Sequence, residues 1–135
     1  ETDGSVSPLD LGMDWIISKK KKDFIGKRSL KISSTIKNRK ELVGILTDNS
    51  EQIIPEGAHS IEDMKSSPPV EMLGHVTSSY YSPNCNRSIA LALIKGGRSK
   101  IGQKVFFPTL DGDIITGKLV KPNFFDPNGD RLNGI

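Results

Sequence analysis

Turn-forming residues interrupt this chain every eight to fifteen residues, and no other feature limits its fold so sharply. Asp48-Asn49-Ser50, Ser66-Ser67-Pro68-Pro69, Pro83-Asn84-Cys85-Asn86, Gly96-Gly97 and Leu110-Asp111-Gly112-Asp113 divide the sequence into apolar runs too short for stable helices. Runs of that length suit strands, and their spacing is that of an all-β sandwich or barrel. Alternation in Glu41 to Thr47 predicts a first strand, and a second is expected near Ala58 to Ile61. Val70 to Tyr81 predicts a long strand bent at Gly74, with His75/Thr77/Ser79/Tyr81 and Val76/Ser78/Tyr80 on its two faces. Arg87 to Lys95 could be helical by its Ala and Leu content, but its brevity favours a strand. The Ile89/Leu91/Leu93 face is expected to fill a barrel interior, leaving Ala90/Ala92/Ile94 for close approach by another layer or domain. Gln103 to Phe107 and Asp113 to Lys121 complete six strands, predicting a small antiparallel barrel of Greek-key or jelly-roll type.

The first 40 residues differ. They hold 10 basic and 5 acidic side chains, net +5, against net −2 for the remainder. Trp15-Ile16-Ile17 predicts a short strand before the run Lys19 to Lys22, and Asp23 is placed to N-cap a helix from Phe24 to Leu30. This piece is too small to fold alone, so it is expected to clamp onto a neighbouring domain. The opening Glu1-Thr2-Asp3-Gly4-Ser5 reads as a turn-rich stretch in mid-course, as in a piece of a larger protein. The lysine run could displace counterions from nucleic acid or serve as an import signal. Stacking aromatics are not interleaved with it, so a solvated loop is the expected reading and nucleic acid is not an expected partner. A small basic barrel that binds RNA through Lys19 to Lys22 with Tyr80 and Tyr81 is the competing reading.

A single cysteine, Cys85, rules out an intramolecular disulfide and the cysteine-rich zinc sites. The absence of a long apolar run or an apolar leader predicts a soluble, cytoplasmic protein without membrane contact. Only His59 and His75 could act as imidazole bases, and neither sits in a nucleophile motif. Asp111, Asp113, Asp126 and Asp130 fall in turns, where backbone capping accounts for them. No glycine-rich phosphate loop precedes a helix. The residues alone therefore predict a barrel with no catalytic group and no metal site of its own.

Three segments carry a resemblance. Leu11 to Lys19 followed by Lys22-Asp23-Phe24-Ile25-Gly26-Lys27-Arg28-Ser29-Leu30 resembles the segment that closes the folate-binding part of aminomethyltransferases, the T-proteins of the glycine cleavage system. Glu41 to Leu46 resembles the first strand of their C-terminal barrel. Gly74 to Pro83 leading to Ser88-Ile89-Ala90-Leu91-Ala92 is similar to that barrel's signature. Within the family, Asp10 to Met13, Ser78-Ser79-Tyr80 and Phe125 to Gly134 look most like the end of the α subunit of heterotetrameric sarcosine oxidases. The resemblance implies residues 1–36 as the end of a folate-binding domain with its connector, and 37–135 as the barrel. It implies tetrahydrofolate as the cofactor of a parent enzyme that also uses FAD, FMN and NAD elsewhere. The implied partners are the upstream folate-binding domain and β, γ and δ subunits. It carries over no catalytic residue; Trp15 is the one implied substrate contact, lining the folate cleft, with a packing anchor as its alternative. Ser79 stands where the family usually has Gly, which questions a positive φ there.

Overall fold

The computed structural model describes residues 3–64 and 68–134. Six strands, β1 (Lys40–Thr47), β2 (His59–Ile61), β3 (Met72–Ser82), β4 (Arg87–Lys95), β5 (Lys104–Pro108) and β6 (Ile114–Val120), form a closed barrel. Their circular order is β1-β4-β3-β2-β5-β6, every pairing antiparallel. Closure leaves no free sheet edge, which matters for strands this rich in Ile, Val and Tyr. The Asp48 turn is built as expected, with the Glu51 amide donating to Asn49 Oδ1 at 3.0 Å. The β5–β6 turn is likewise built around Gly112 at φ 87°, where the Thr109 amide donates to the Asp113 carbonyl at 2.8 Å. Of the Ser66-Ser67-Pro68-Pro69 break, Ser66 and Ser67 lie outside the described residues, as do Glu1 and Thr2.

The interior is filled by Val43, Ile45, Ile54, Leu73, Val76, Ala90, Ala92, Ile94, Val105, Phe107, Ile115 and Leu119. Phe107 is fully buried, a contribution of roughly 2–3 kcal/mol relative to exposure. Room for it and for Ile45 comes from Gly117, where a Cβ would lie 2.6 Å from Ile45 Cγ2.

One facing assignment is reversed, and one alternation is broken. On β4 the interior face is Ala90, Ala92 and Ile94, whereas Ile89 and Leu91 are half-buried on the outside. A six-stranded barrel has a narrow interior, already filled by Phe107, Ile45 and Leu119, so small side chains are needed on one wall. On β3 a bulge between Val76 and Ser78 changes the parity. Val76, opposite Ala92, and Ser79, opposite Ala90, therefore both face inward although three residues apart. Gly74 is needed for another reason: a Cβ there would sit 1.8 Å from the Leu93 carbonyl oxygen.

The leg also departs from expectation. Asp14–Ile16 is a 3₁₀ turn rather than a strand, and nothing in it is buried. The helix α1 runs from Lys27 to Thr35, not from Phe24. Gly26 at φ 92° cannot lie inside a right-handed helix, so the helix starts after it. Asp23 instead accepts the neighbouring Phe24 amide at 2.9 Å. No residue of α1 is buried.

Candidate functional site

The leg is joined to the barrel by one polar cluster. Asp10, only 4 % exposed, accepts Arg39 Nε at 2.8 Å and also Nη2 of the same guanidinium. Its carboxylate takes two further hydrogen bonds from Ser7, the amide at 2.7 Å and the hydroxyl at 2.9 Å. These donors hold the Asp10 pKa down at about 2, the Arg39 contact being the largest cause. The Asp10 carbonyl accepts the Leu42 amide at the start of β1 at 2.8 Å. Arg98 donates to the carbonyls of Leu9 and Asp10 and pairs with Glu41. The cluster thus ties three remote parts of the chain to one end of the barrel. The sequence offered no local signal for it, because its members are 29 and 88 residues apart.

Beyond this tie the leg faces outward. Trp15 is 74 % exposed, and Ile25, Ile32 and Ile36 are exposed with it. At 100° per residue Ile32 lies on the side of α1 opposite Leu30 and Ser34, whereas Ile36, extended at the helix C-cap, borders the cleft formed with Ser34, Asp10 and Arg98. Leu30 and Ser34 line a shallow cleft with Leu9, Ile17, Phe24 and Lys27. Ile25 and Ile32 are therefore exposed apolar surface without a partner among the described residues. Lys19 to Lys22 are exposed, and the Lys27 ammonium donates to the Lys21 and Lys22 carbonyls. Among the described residues none of these lysines forms an ion pair.

Tyr80 and Tyr81 lie at the other end of the barrel. The β3–β4 ladder runs from Gly74/Ile94, near the leg, to Tyr81/Ser88. That is about 20 Å at ~3.3 Å per residue. The lysines and the tyrosines do not form one surface, which removes the stacking platform from the RNA reading.

The other candidates have structural settings. Cys85 is half-buried in the β3–β4 hairpin, its Sγ 3.7 Å from the Phe124 carbonyl, away from both histidines. Asp126 takes the Asp130 amide at 2.8 Å and the Arg131 amide at 3.2 Å, a backbone-capping role. Asp113 contributes its carbonyl to the β5–β6 turn. Ser79 lies in extended β3 and is absent from the positive-φ positions, so the Gly-to-Ser departure costs no strain. Its hydroxyl, like those of Thr47 and Ser88, is buried without a hydrogen-bond partner among the described residues. Among the described residues no group of three His, Cys, Asp or Glu side chains could hold a metal ion, and no helix is long and apolar enough to cross a membrane.

The outer face of β1 is covered by the segment after β6. A Cβ at Gly44 would meet the Phe124 ring at 2.7 Å, so Gly allows that ring to approach the sheet. Beside it, Tyr80, Ile89, Leu91 and Pro122 line a largely apolar cleft.

Known proteins share both parts of this architecture. The sarcosine oxidase α subunit of Corynebacterium sp. (strain P-1) is 40 % identical across 99 % of the chain. That of Rhizobium meliloti (strain 1021) is 36 % identical across 98 %. In each case the chain spans 14 % of the relative's length. An aminomethyltransferase of Clostridium botulinum (strain Loch Maree / Type A3) is 35 % identical over 76 % of the chain and 26 % of its own length. The crystal structure of the glycine cleavage system aminomethyltransferase T from Bartonella henselae superposes with a TM-score of 0.71. It covers 89 % of this chain and 32 % of its own, at 21 % identity, which speaks to the fold. The sequence profile of the glycine cleavage T-protein C-terminal barrel domain matches residues 40–126, beginning at the first residue of β1 and leaving the leg outside. This chain belongs to the glycine cleavage T-protein C-terminal barrel family.

Proposed function

We propose that this chain is the closing barrel, with its connector, of the α subunit of a cytoplasmic, folate-dependent sarcosine oxidase. The observation that carries the reading is the extent of the match. Likeness to the sarcosine oxidase α subunits includes the leg and covers 99 % of the chain, whereas the aminomethyltransferase match covers 76 %. The parent would oxidise sarcosine to glycine and pass the one-carbon unit to tetrahydrofolate, with FAD, FMN and NAD held by other domains and subunits.

This chain's own part is structural. Residues 1–36 end the folate-binding domain and 37–135 form the barrel. The exposed Ile25 and Ile32 suit burial against that upstream domain, and the Asp10–Arg39–Arg98 cluster ties the leg to the barrel beside them. Trp15, an exposed aromatic held on a 3₁₀ turn, fits one wall of a folate cleft; the polar anchors for the pterin come from upstream. The β, γ and δ subunits would contact other faces.

The test is tetrahydrofolate titration of the full-length protein, its Trp15→Ala variant and the 135-residue chain. Full-length protein should bind with a change in Trp15 fluorescence, the variant should bind at least tenfold more weakly, and the isolated chain should bind far more weakly still. Absence of folate binding by the full-length protein would refute the folate assignment. Unchanged affinity in the variant would remove Trp15 from the cleft. Methylene transfer from glycine without sarcosine oxidation would make the parent a T-protein.

A further inference from the structure

The chain contains two histidines, and the fold sets them side by side. His59 on β2 and His75 on β3 are directly opposite in register. The Val76 amide donates to the Ala58 carbonyl at 2.9 Å, so the adjacent His59/His75 position is a non-hydrogen-bonded pair. In such pairs the Cα atoms are about 4.5 Å apart and the side chains stand next to each other on one face. That face is the outside of the barrel, because the neighbouring Ser60 and Val76 are buried inward. His59 is exposed and His75 half-exposed, and neither imidazole has a hydrogen-bond partner among the described residues. The pKa of His75 is lowered chiefly by burial, then by Lys40 and His59, and this is opposed by Asp3.

We infer that His59 and His75 form a chelating site for a borderline divalent transition metal such as Zn(II) or Ni(II), with water completing the coordination. Neutral imidazoles are good donors for these ions. Two donors on adjacent strands bind as a chelate, because the barrel has already met the entropic cost of bringing them together. Their place gives the site a structural meaning. Strand β2 is three residues long, has a register irregularity at Ser60/Ile61, and among the described residues reaches β5 through the one pairing Ile61–Phe106. A metal shared by His59 and His75 would clip this shortest strand to its longest neighbour, on the side opposite its one-pair contact with β5. Lys40 works against cation binding and Asp3 for it, so the expected affinity is modest.

The test is a calorimetric titration of the chain with Zn(II) and with Ni(II) at pH 7.5, in a Cys85→Ser background that removes the only thiol. One equivalent should bind. His59→Asn and His75→Asn should each weaken that binding at least tenfold, and the double variant should do no worse than either. Saturating metal should slow exchange of the β2 amides in the parent and not in the variants. His59→Asn alters only an exposed side chain, so it reports on the site even where His75→Asn unfolds the protein. Two equivalents lost one at a time, with the remaining affinity unchanged, would mean independent imidazoles and overturn the chelate. Binding unaffected by His59→Asn would overturn the site.

Discussion

Replacing Asp10 by Asn tests how the leg is held. Holding the Asp10 carboxyl at about 2 rather than the ordinary 3.8 corresponds to about 2.4 kcal/mol, at 1.36 kcal/mol per tenfold change in proton affinity. The amide keeps the shape and still accepts from Ser7, but it loses the charge that pairs with Arg39. The Arg39 side chain is 24 % exposed and regains some water, so the expected loss is about 1.5–2.5 kcal/mol rather than the larger cost of a fully stranded ion. The sign with pH follows. Asp10 binds its proton less readily in the folded chain, so its contribution is complete above pH ~4 and is lost as pH falls through about 2. Urea unfolding followed by circular dichroism between pH 7 and 2 should show wild type and Asp10→Asn separated at neutral pH and converging toward pH 2. Amide exchange should identify the place: Leu42, whose N–H donates to the Asp10 carbonyl, should lose protection, while the β3–β4 ladder keeps it. Equal stability at pH 7, or parallel curves down to pH 2, would refute the argument that this ion pair anchors the leg.

Two further outcomes follow from the barrel itself. Gly74→Ala would place a Cβ 1.8 Å from a backbone oxygen of β4, so the strands must separate; we expect a loss at or above the ~1–3 kcal/mol of ordinary overpacking, read as a fall in urea midpoint. His75 has a pKa below its ordinary value through burial, so folding is progressively opposed as pH drops below ~6.5; His75→Asn should flatten the stability profile between pH 7 and 5, and an unchanged slope would exclude His75 as its source.

The strands were legible because turn residues bracket them: Arg87–Lys95 has the extent that Asn84-Cys85-Asn86 and Gly96-Gly97 mark out, and Lys40–Thr47 stops at the Asp48 turn. Which side of β4 faces in was not legible. Local apolarity favours Ile89/Leu91/Leu93, but the choice depends on how much volume Phe107 and Ile45 already occupy across a narrow barrel. The bulge at Thr77 was hidden for a similar reason, since it is defined by a partner strand. In the leg, Asp23 has the chemistry of a cap, but Gly26, with its left-handed backbone, sets where the helix begins. Neither the Asp10–Arg39–Arg98 cluster nor the facing of His59 and His75 has any local trace, because both arise only when the register is set.

The circular strand order has a consequence for synthesis on the ribosome. Among the described residues β1 pairs with β4 and β6 alone. After Thr47 is made, Lys95 must follow before the β1–β4 ladder can be completed. At ~5–20 residues per second this leaves β1 without its neighbours for roughly 2–10 s, whereas β3 waits only for the strand that directly follows it. During that interval Leu42-Val43-Gly44-Ile45-Leu46 is a naked apolar strand, and it is the segment a nascent-chain chaperone would have most reason to hold.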